Sequence, residues 1–251
     1  MIIFDDSASI VKPGGYGGLD GVDPKIGIMM LEGDNLERLQ AQRPTTPVTN
    51  IFGQALDTPV ILDGTDVLLT SPTGGAEAVM DMELMIASGV DTVIAYGTAG
   101  ALYKNMETGT IIIPTAATRD EGTSYHYMPD TDEVEQNPET LAILREEMHK
   151  CGIEWVGGKT WTTDAIYRET VGKREMMKER GCVCVDMECA SLLAVAKFRG
   201  ISFVQFLIIL DNIDEDAPKT DYGLYQQRYR EELFDMALAA AQRIRARRVG
   251  S

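Results

Sequence analysis

Cysteine and histidine are scarce in this sequence of 251 residues, which contains four cysteines and two histidines. They are Cys151, Cys182, Cys184, Cys189, His126 and His149. A structural zinc site takes about four clustered Cys or His ligands, so we expect no metal site. Cys182 and Cys184 would face one side of a strand, as either a thiol pair or two buried reduced cysteines. This sparing use of cysteine is typical of a reducing cytoplasm, the location that we expect.

Basic residues are in the minority, with 23 Lys and Arg against 39 Asp and Glu and a net charge of −16. Nucleic acids and anionic membranes attract proteins through Lys and Arg, so we expect neither as a partner. No apolar run reaches the roughly 18–20 residues that cross a bilayer. The first residues, Met1 to Asp6, do not have the pattern of a secretory signal.

Linkers, repeats and low-complexity tracts are absent, and the sequence therefore predicts one domain over residues 1–251. Apolar strand patterns alternate with amphipathic helical patterns, which predicts an α/β fold with a mostly parallel sheet covered on both faces by helices. The principal predicted elements are strands at Lys25–Leu31, Asp91–Tyr96, Gly109–Pro114, Cys182–Val185 and Ile201–Leu210, a hairpin of Val60–Leu62 and Asp66–Thr70, and helices at Gly75–Ser88, Asn137–Cys151, Lys173–Arg180, Met187–Phe198 and Tyr222–Arg245.

Ligands of such sheets bind at the carboxyl ends of strands, and three predicted strand ends carry suitable residues. The first is Gly97-Thr-Ala-Gly100, interpreted as a turn whose backbone N–H groups and Thr98 hydroxyl can approach an anion. Tight packing is the alternative reason for these small residues. The segment is not a dinucleotide motif, because the third glycine and the downstream acidic partner are missing.

The other two strand ends carry carboxylates. Glu188, on the first turn of a helix, can accept hydrogen bonds from a vicinal diol, and Met187 can lie against a sugar. Alternatively, Asp186 and Glu188 only favour the helix N-terminus. Asp211 ends the most apolar strand, where partial burial would raise its pKa toward the range useful for proton donation. The alternative is a turn or capping aspartate in front of an acidic loop.

Two further segments, Arg119–Tyr127 and Thr163–Thr170, combine aromatic and polar residues without the periodicity of a helix or strand. We interpret both as loops. Loops of this kind line binding sites or serve as plain turns.

In their order along the chain, these segments resemble the nucleoside phosphorylase family, which includes bacterial purine nucleoside phosphorylases, uridine phosphorylases and methylthioadenosine/adenosylhomocysteine nucleosidases. The matching pieces are Thr73-Gly-Gly-Ala76, Gly97-Thr-Ala-Gly-Ala101, Arg119-Asp-Glu-Gly-Thr-Ser-Tyr-His126, Thr163-Asp-Ala-Ile-Tyr-Arg-Glu-Thr170, Val185-Asp-Met-Glu188 and Leu210-Asp-Asn212. They lie between about residue 60 and residue 212, whereas residues 1–60 match poorly. The resemblance implies a central mixed sheet flanked by helices, in a homo-oligomer that is a dimer or a hexamer built from dimers.

The resemblance also implies cleavage of the N-glycosidic bond of a ribonucleoside by phosphorolysis, with phosphate as co-substrate and no cofactor. Met187 and Glu188 would bind the ribose, and Asp211 would be the general acid toward the base. The implied phosphate ligands are Gly33, Arg38 and Thr98, and the implied base-binding residues are Gly100, Ile166, Tyr167 and Arg168. Uridine phosphorylases lack the aspartate at this position, which favours purines, while Arg168 also suits a pyrimidine carbonyl.

Several positions depart from the phosphorylase pattern. Ala95 stands where phosphorylases have an arginine that grips phosphate. The early phosphate loop is one residue longer, which displaces Arg38, and Arg43 is a weak match for the arginine that a second subunit supplies. A divalent phosphate needs strong cationic partners. Hydrolysis by water is therefore the second hypothesis, and a non-catalytic nucleoside-binding protein is the third.

Overall fold

The computed structural model describes residues 4–19, 21–31, 33–49, 55–214, 221 and 231–250. Its strands are β1 (Ile26–Leu31), β2 (Thr45–Thr49), β3 (Ala55–Leu62), β4 (Val67–Thr70), β5 (Thr92–Ala101), β6 (Ile111–Asp120), β7 (Glu133–Glu135), β8 (Val156–Thr163), β9 (Cys182–Asp186) and β10 (Ser202–Asn212). Its α-helices are α1 (Gly33–Gln40), α2 (Gly75–Ala87), α3 (Pro138–Lys150), α4 (Val171–Glu179), α5 (Cys189–Arg199) and α6 (Glu231–Val249). Two 3₁₀ helices are at Thr123–His126 and Ile166–Arg168.

Strand β5 is hydrogen-bonded to three other strands, β10, β1 and β9. Its parallel partner β10 follows one edge from Thr92 to Ala101. Its other edge pairs first with β1, up to Gly97, and then with the antiparallel strand β9 at Gly100. Because β10 also pairs with β6, which continues through β8 to β9, these five strands close into a ring. Beyond β1 the sheet stays open through β4, β3 and β2.

Helices cover both faces of this sheet. The core on one face includes residues from α1, α3 and α6, and the core on the other includes residues from α2 and α5. Strand β1 contributes Ile28 and Met30 to the first core and Met29 and Leu31 to the second, as a strand buried on both faces does. The predicted single-domain α/β fold with a mixed sheet is confirmed. Among the described residues, five of ten strand pairings are parallel.

The segment Gly97–Gly100 is not the predicted turn but the last part of β5. Its residues are small because neighbouring strands approach closely. A Cβ atom on Gly97 would lie 2.6 Å from the Cβ of Leu31, and one on Gly100 would lie 3.1 Å from Cγ1 of Val185. Tight packing, the alternative that the sequence left open, therefore accounts for both glycines.

The helices and the hairpin follow their local sequence signals. The predicted hairpin is formed by β3 and β4, with Gly64 at φ 75° in the turn. Asn137 begins α3 by accepting a hydrogen bond from the Glu139 N–H at 2.8 Å, as a preferred N-cap residue does. Gly89, at φ 110°, follows the end of α2.

Three boundaries differ from the prediction. Arg119 belongs to β6, and its buried guanidinium donates to Ser124 Oγ at 2.8 Å and to the Pro129 carbonyl at 2.7 Å, so it has a structural role. Helix α5 begins at Cys189, so Glu188 precedes the helix rather than lying in its first turn. The last helix is described over Glu231–Val249, and residues 222–230 of the predicted helix lie outside the described residues.

The four cysteines are all free, and Cys182 and Cys184 are buried, which confirms the interpretation as reduced thiols. None of the helices built from described residues has the length and apolar character required to cross a bilayer.

Candidate active site

A pocket of about 270 Å³ opens where β5, β9 and β10 end. This volume lies just below the usual range for small-molecule sites, about 300–1,000 Å³. The predicted site residues in its lining are Thr98, Gly100, Ile166, Met187, Glu188 and Asp211. The structure thus brings Glu188 and Asp211 into one pocket, although the sequence separates these two carboxylates by more than twenty positions.

Glu188 is positioned by backbone groups from two directions. One carboxylate oxygen accepts the Gly74 N–H at 2.6 Å, and the other accepts the Met187 N–H at 3.3 Å. Burial and the charge of Asp186 raise the pKa of Glu188 to about 8. Each oxygen retains acceptor capacity toward the pocket, because a carboxylate offers about four acceptor sites. Hydroxyl donors of a ligand can therefore bind it.

Asp186 has a structural role. The sequence analysis left such a role open for both Asp186 and Glu188. Its carboxylate accepts the hydroxyls of Thr160 at 2.9 Å and Thr162 at 2.8 Å, and the backbone N–H groups of Glu188 at 3.0 Å and Cys189 at 2.6 Å. Burial raises its pKa, which these hydrogen bonds oppose. Asp186 therefore joins β8 and β9 to the start of α5 and holds Glu188 in place.

Asp211 occupies the end of β10, just after a register shift against β5. The residue is exposed in the single chain, yet one carboxylate oxygen lies 3.2 Å from where a Cβ of Gly100 would be. Partial desolvation at the pocket raises the pKa of Asp211. The following residue fixes the strand end, because the Asn212 side chain donates to the Tyr103 carbonyl at 2.8 Å.

Glu169 and Thr73 also line the pocket, and the sequence analysis assigned neither of them a role. Both lie in segments that matched the family pattern, but no residue-level signal separated them from their neighbours. Burial and the charge of Asp211 raise the pKa of Glu169 to about 7. Glu169 thus belongs with the titratable groups of the site.

The remaining predicted residues are not in the described lining of this pocket. Gly33 and Arg38 lie in α1, and Arg38 is exposed. Tyr167 is 96% exposed and Arg168 is also exposed, on the outer side of the same 3₁₀ helix that carries Ile166. Their predicted contacts with phosphate and base stay predictions.

The structure describes the surroundings of Ala95 and Arg43, the two positions that were compared with the phosphate-binding arginines of phosphorylases. Ala95 is fully buried in the core. The Arg43 guanidinium donates to both carboxylate oxygens of Asp235, at 2.8 and 2.9 Å, and stacks over the Phe234 ring. Arg43 is therefore held by α6 of its own chain.

The pocket is acidic. Its lining includes Glu169, Asp186, Glu188 and Asp211, and contains no lysine, arginine or histidine among the described residues. Carboxylates in a shared desolvated space raise one another's pKa and repel anions. Such a site suits a neutral or cationic group better than a phosphate.

Comparison with known proteins gives a consistent result. A sequence model of the Phosphorylase superfamily matches residues 25–243. A guanosine phosphorylase from Halorubrum lacusprofundi is 29% identical over 147 residues, which cover 55% of this chain and 58% of that protein. A uridine phosphorylase from Escherichia coli is 26% identical over 176 residues, 64% of this chain and 70% of that protein. The match thus spans less than two thirds of the guanosine phosphorylase.

A solved structure shows the same fold. The crystal structure of an AMP nucleosidase from Bacteroides thetaiotaomicron superposes with a TM-score of 0.70 at 22% identity, over 90% of this chain and 91% of that one. At this level of identity the likeness concerns the fold alone.

Proposed function

Because this chain belongs to the phosphorylase superfamily, whose sequence model matches residues 25–243, we propose that it cleaves the N-glycosidic bond of a ribonucleoside. The observation that carries this proposal is that Glu188 and Asp211 line one pocket. A single ligand with a sugar at one end and a base at the other can therefore contact both.

Glu188 and Met187 form the proposed ribose end. The 2′- and 3′-hydroxyls of ribose would donate to the Glu188 oxygens that already accept the Gly74 and Met187 N–H groups. As the glycosidic bond stretches, the sugar gains positive character, and an ionised Glu188 stabilises that charge. Met187 gives the sugar an apolar surface.

Asp211 forms the proposed base end with Gly100 and Ile166. A carboxyl whose pKa is raised by desolvation can keep a proton for the departing base nitrogen. This supports the expected preference for purines, as does the name of the guanosine phosphorylase relative. The uridine phosphorylase relative keeps pyrimidines as the second candidate.

The acidic lining favours water over phosphate as the nucleophile. A phosphate dianion meets four carboxyl groups and no cation among the described lining residues, and its desolvation without cationic partners is costly. Water carries no such cost, and the Thr98 hydroxyl can hold it. The same argument favours nucleosides over 5′-phosphorylated nucleotides. Phosphorolysis, the first hypothesis from sequence, is the second candidate, supported by the names of both phosphorylase relatives.

A homo-oligomer remains part of the proposal. Ile166 and Tyr167, which are 53% and 96% exposed, place apolar surface beside the pocket mouth. A second subunit covering them would exclude water from the base. We retain a dimer or hexamer, located in the cytoplasm, and light scattering measures the subunit number.

One assay tests the function. The protein is incubated with inosine, guanosine, adenosine and uridine, with and without phosphate, and the free base is quantified beside an Asp211→Asn control. We expect base release that does not depend on phosphate. Release only with phosphate, with ribose 1-phosphate as product, would establish phosphorolysis. Binding without any release would establish a nucleoside-binding protein.

A further inference from the structure

Glu169 is an acid of the pocket without a partner in the described structure. It follows the 3₁₀ helix Ile166–Arg168 and is half-buried. Its backbone N–H donates to the Ile166 carbonyl at 3.3 Å. Its carboxyl makes no hydrogen bond or ion pair with the residues that the structure describes, and it shares the pocket wall with Asp211. Glu169 therefore lies on the side of the pocket where the proposed function places the base.

The charged groups around Glu169 come from several elements. Asp186 and Glu188 lie at the end of β9 and before α5, and both accept backbone N–H groups. Arg174 of α4 donates to the Ile213 carbonyl at 2.9 Å and to its neighbour Glu175 at 2.8 Å. Asp211 is the one whose charge, together with burial, raises the pKa of Glu169 to about 7.

We propose that Glu169 and Asp211 form a carboxyl pair that shares one proton near neutral pH and gives this proton to the leaving base. Two carboxylates facing the same partly desolvated space do not both ionise readily, and the pair titrates as a unit. Glu169 thereby keeps a proton available at a pH where a lone exposed aspartate has lost its own. The inference rests on the proposed N-glycosidic cleavage.

The proposed step uses one proton of the pair and returns one proton to it. The bond between C1′ and the base nitrogen breaks, and its electron pair stays on that nitrogen. The nitrogen takes the shared proton from the Glu169–Asp211 pair. Water adds to C1′ and releases a proton, which restores the pair. The net change is nucleoside plus water to free base plus ribose, with no oxidant, reductant or metal.

The test is the pH dependence of kcat between about pH 5 and pH 9, with the nucleoside that the wild type cleaves fastest at saturating concentration, so that the pH dependence of binding through Glu188 does not enter. The variants are Glu169→Gln and Asp211→Asn, with Glu179→Gln on the exposed side of α4 as the matched control. We expect wild-type kcat to fall as pH rises through about 7. Glu169→Gln removes the carboxyl that keeps its proton up to about pH 7 and leaves Asp211 as the only acid of the pair, so the fall moves to lower pH. The loss is at least about tenfold at pH 8 and narrows toward pH 5.

Two results would contradict the proposal that Glu169 and Asp211 act as a pair. One is a Glu169→Gln profile that superimposes on the wild type. The other is an equal loss at every pH, which would indicate packing or positioning only. A second measurement is independent of turnover: ¹³C NMR of the side-chain carboxyl carbons in the ligand-free protein. The pair requires that Asp211→Asn lower the pKa of Glu169, and a Glu169 titration that Asp211→Asn leaves unchanged would refute it. If the wild type cleaves no nucleoside, the proposed function fails, and this titration still decides whether the pair exists.

Discussion

The floor and the rim of the pocket are built from different kinds of structure. We call floor the residues Thr98, Asp186, Glu188 and Asp211, which lie in strands or just after them, and rim the segment from 164 to 170, which connects β8 and α4. The floor belongs to, or directly follows, strands of the closed ring. The rim is a single 3₁₀ turn whose Tyr167 is 96% exposed. Under the proposed function, the sugar and the reacting bond would meet groups fixed by strands, whereas the outer part of the base would meet an exposed turn.

Within the floor, Asp186 and Glu188 show how neighbouring acids acquire different roles. The protein supplies four hydrogen bonds to Asp186, two from hydroxyls and two from backbone N–H groups. It supplies two to Glu188, both from the backbone. Asp186 has no capacity left for a ligand, whereas Glu188 does. We therefore expect ligand binding at Glu188, the acid whose hydrogen-bonding capacity the fold leaves incompletely satisfied.

The largest expected effect separates these two acids by stability. Asp186→Ala leaves two hydroxyls and two N–H groups without their acceptor, and we expect a loss of about 4 kcal/mol in the free energy of unfolding. Glu188→Ala should cost less than about 1 kcal/mol, because burial disfavours its charged form. Urea unfolding measures both. Equal losses would contradict the division between a structural and a binding acid.

The next effect concerns Asp211 on the floor. Asp211→Asn keeps the size of the side chain but removes its proton, so we expect kcat to fall by about 10²–10³-fold. The dissociation constant of the nucleoside should change by less than about threefold, because a proton used in the transition state adds little to ground-state binding. Steady-state kinetics and calorimetry give the two numbers. A parallel loss of binding would instead make Asp211 a binding residue.

Alanine substitutions at two glycines compare how tightly the chain is packed beside the floor and beside the rim. Gly97 precedes Thr98 in β5. Gly97→Ala places a methyl group 2.6 Å from the Leu31 Cβ and 2.9 Å from its carbonyl oxygen, which should cost about 2 kcal/mol. Gly172 lies in α4, just after the rim, and an added Cβ meets nothing within 4 Å. Gly172→Ala should stabilise the protein by about 0.5–1 kcal/mol through helix propensity. Thermal unfolding that lowers Tm equally in both variants would refute the contrast.

The last expected effect is a pH dependence of sugar binding. Since the pKa of Glu188 is raised to about 8 and hydroxyl donors favour its ionised form, nucleoside affinity should decrease below about pH 8. The decrease approaches tenfold for each further pH step of about one. Calorimetry in buffers of different ionisation enthalpy should detect proton release on binding. Glu188→Gln should bind weakly with this dependence removed, and a persistent dependence would assign it to another group.

Local patterns predicted most of the elements, because hydrophobic periodicity and capping residues report on neighbours in sequence. The helix begun by Asn137 and the hairpin around Gly64 are examples. Three strand ends were singled out on the rule that ligands bind where parallel strands finish, and they do meet in one pocket. The role of Ile166 was suggested by family resemblance rather than by periodicity.

The rest depended on contacts between distant parts of the chain. Gly97 and Gly100 suggest a turn by composition, and only the approach of Leu31 and Val185 explains them as strand residues. Glu169 gave no signal because its raised pKa arises from burial in the fold and from the charge of Asp211, more than forty positions away. Closure of the ring likewise requires β10 to pair with both β5 and β6, and neither pairing can be predicted from the local sequence pattern.

The closed ring has a consequence for the choice of substrate. Glu188 follows β9 and Asp211 ends β10, and each of these strands is hydrogen-bonded to β5. Because both strands are paired with the same strand, we expect the distance between the two carboxylates, and with it the accepted span from sugar hydroxyls to base nitrogen, to change little on binding. Ligands with a longer or shorter span, such as nucleosides with an added methylene between sugar and base, should be rejected, while substituents that project past Tyr167 are tolerated.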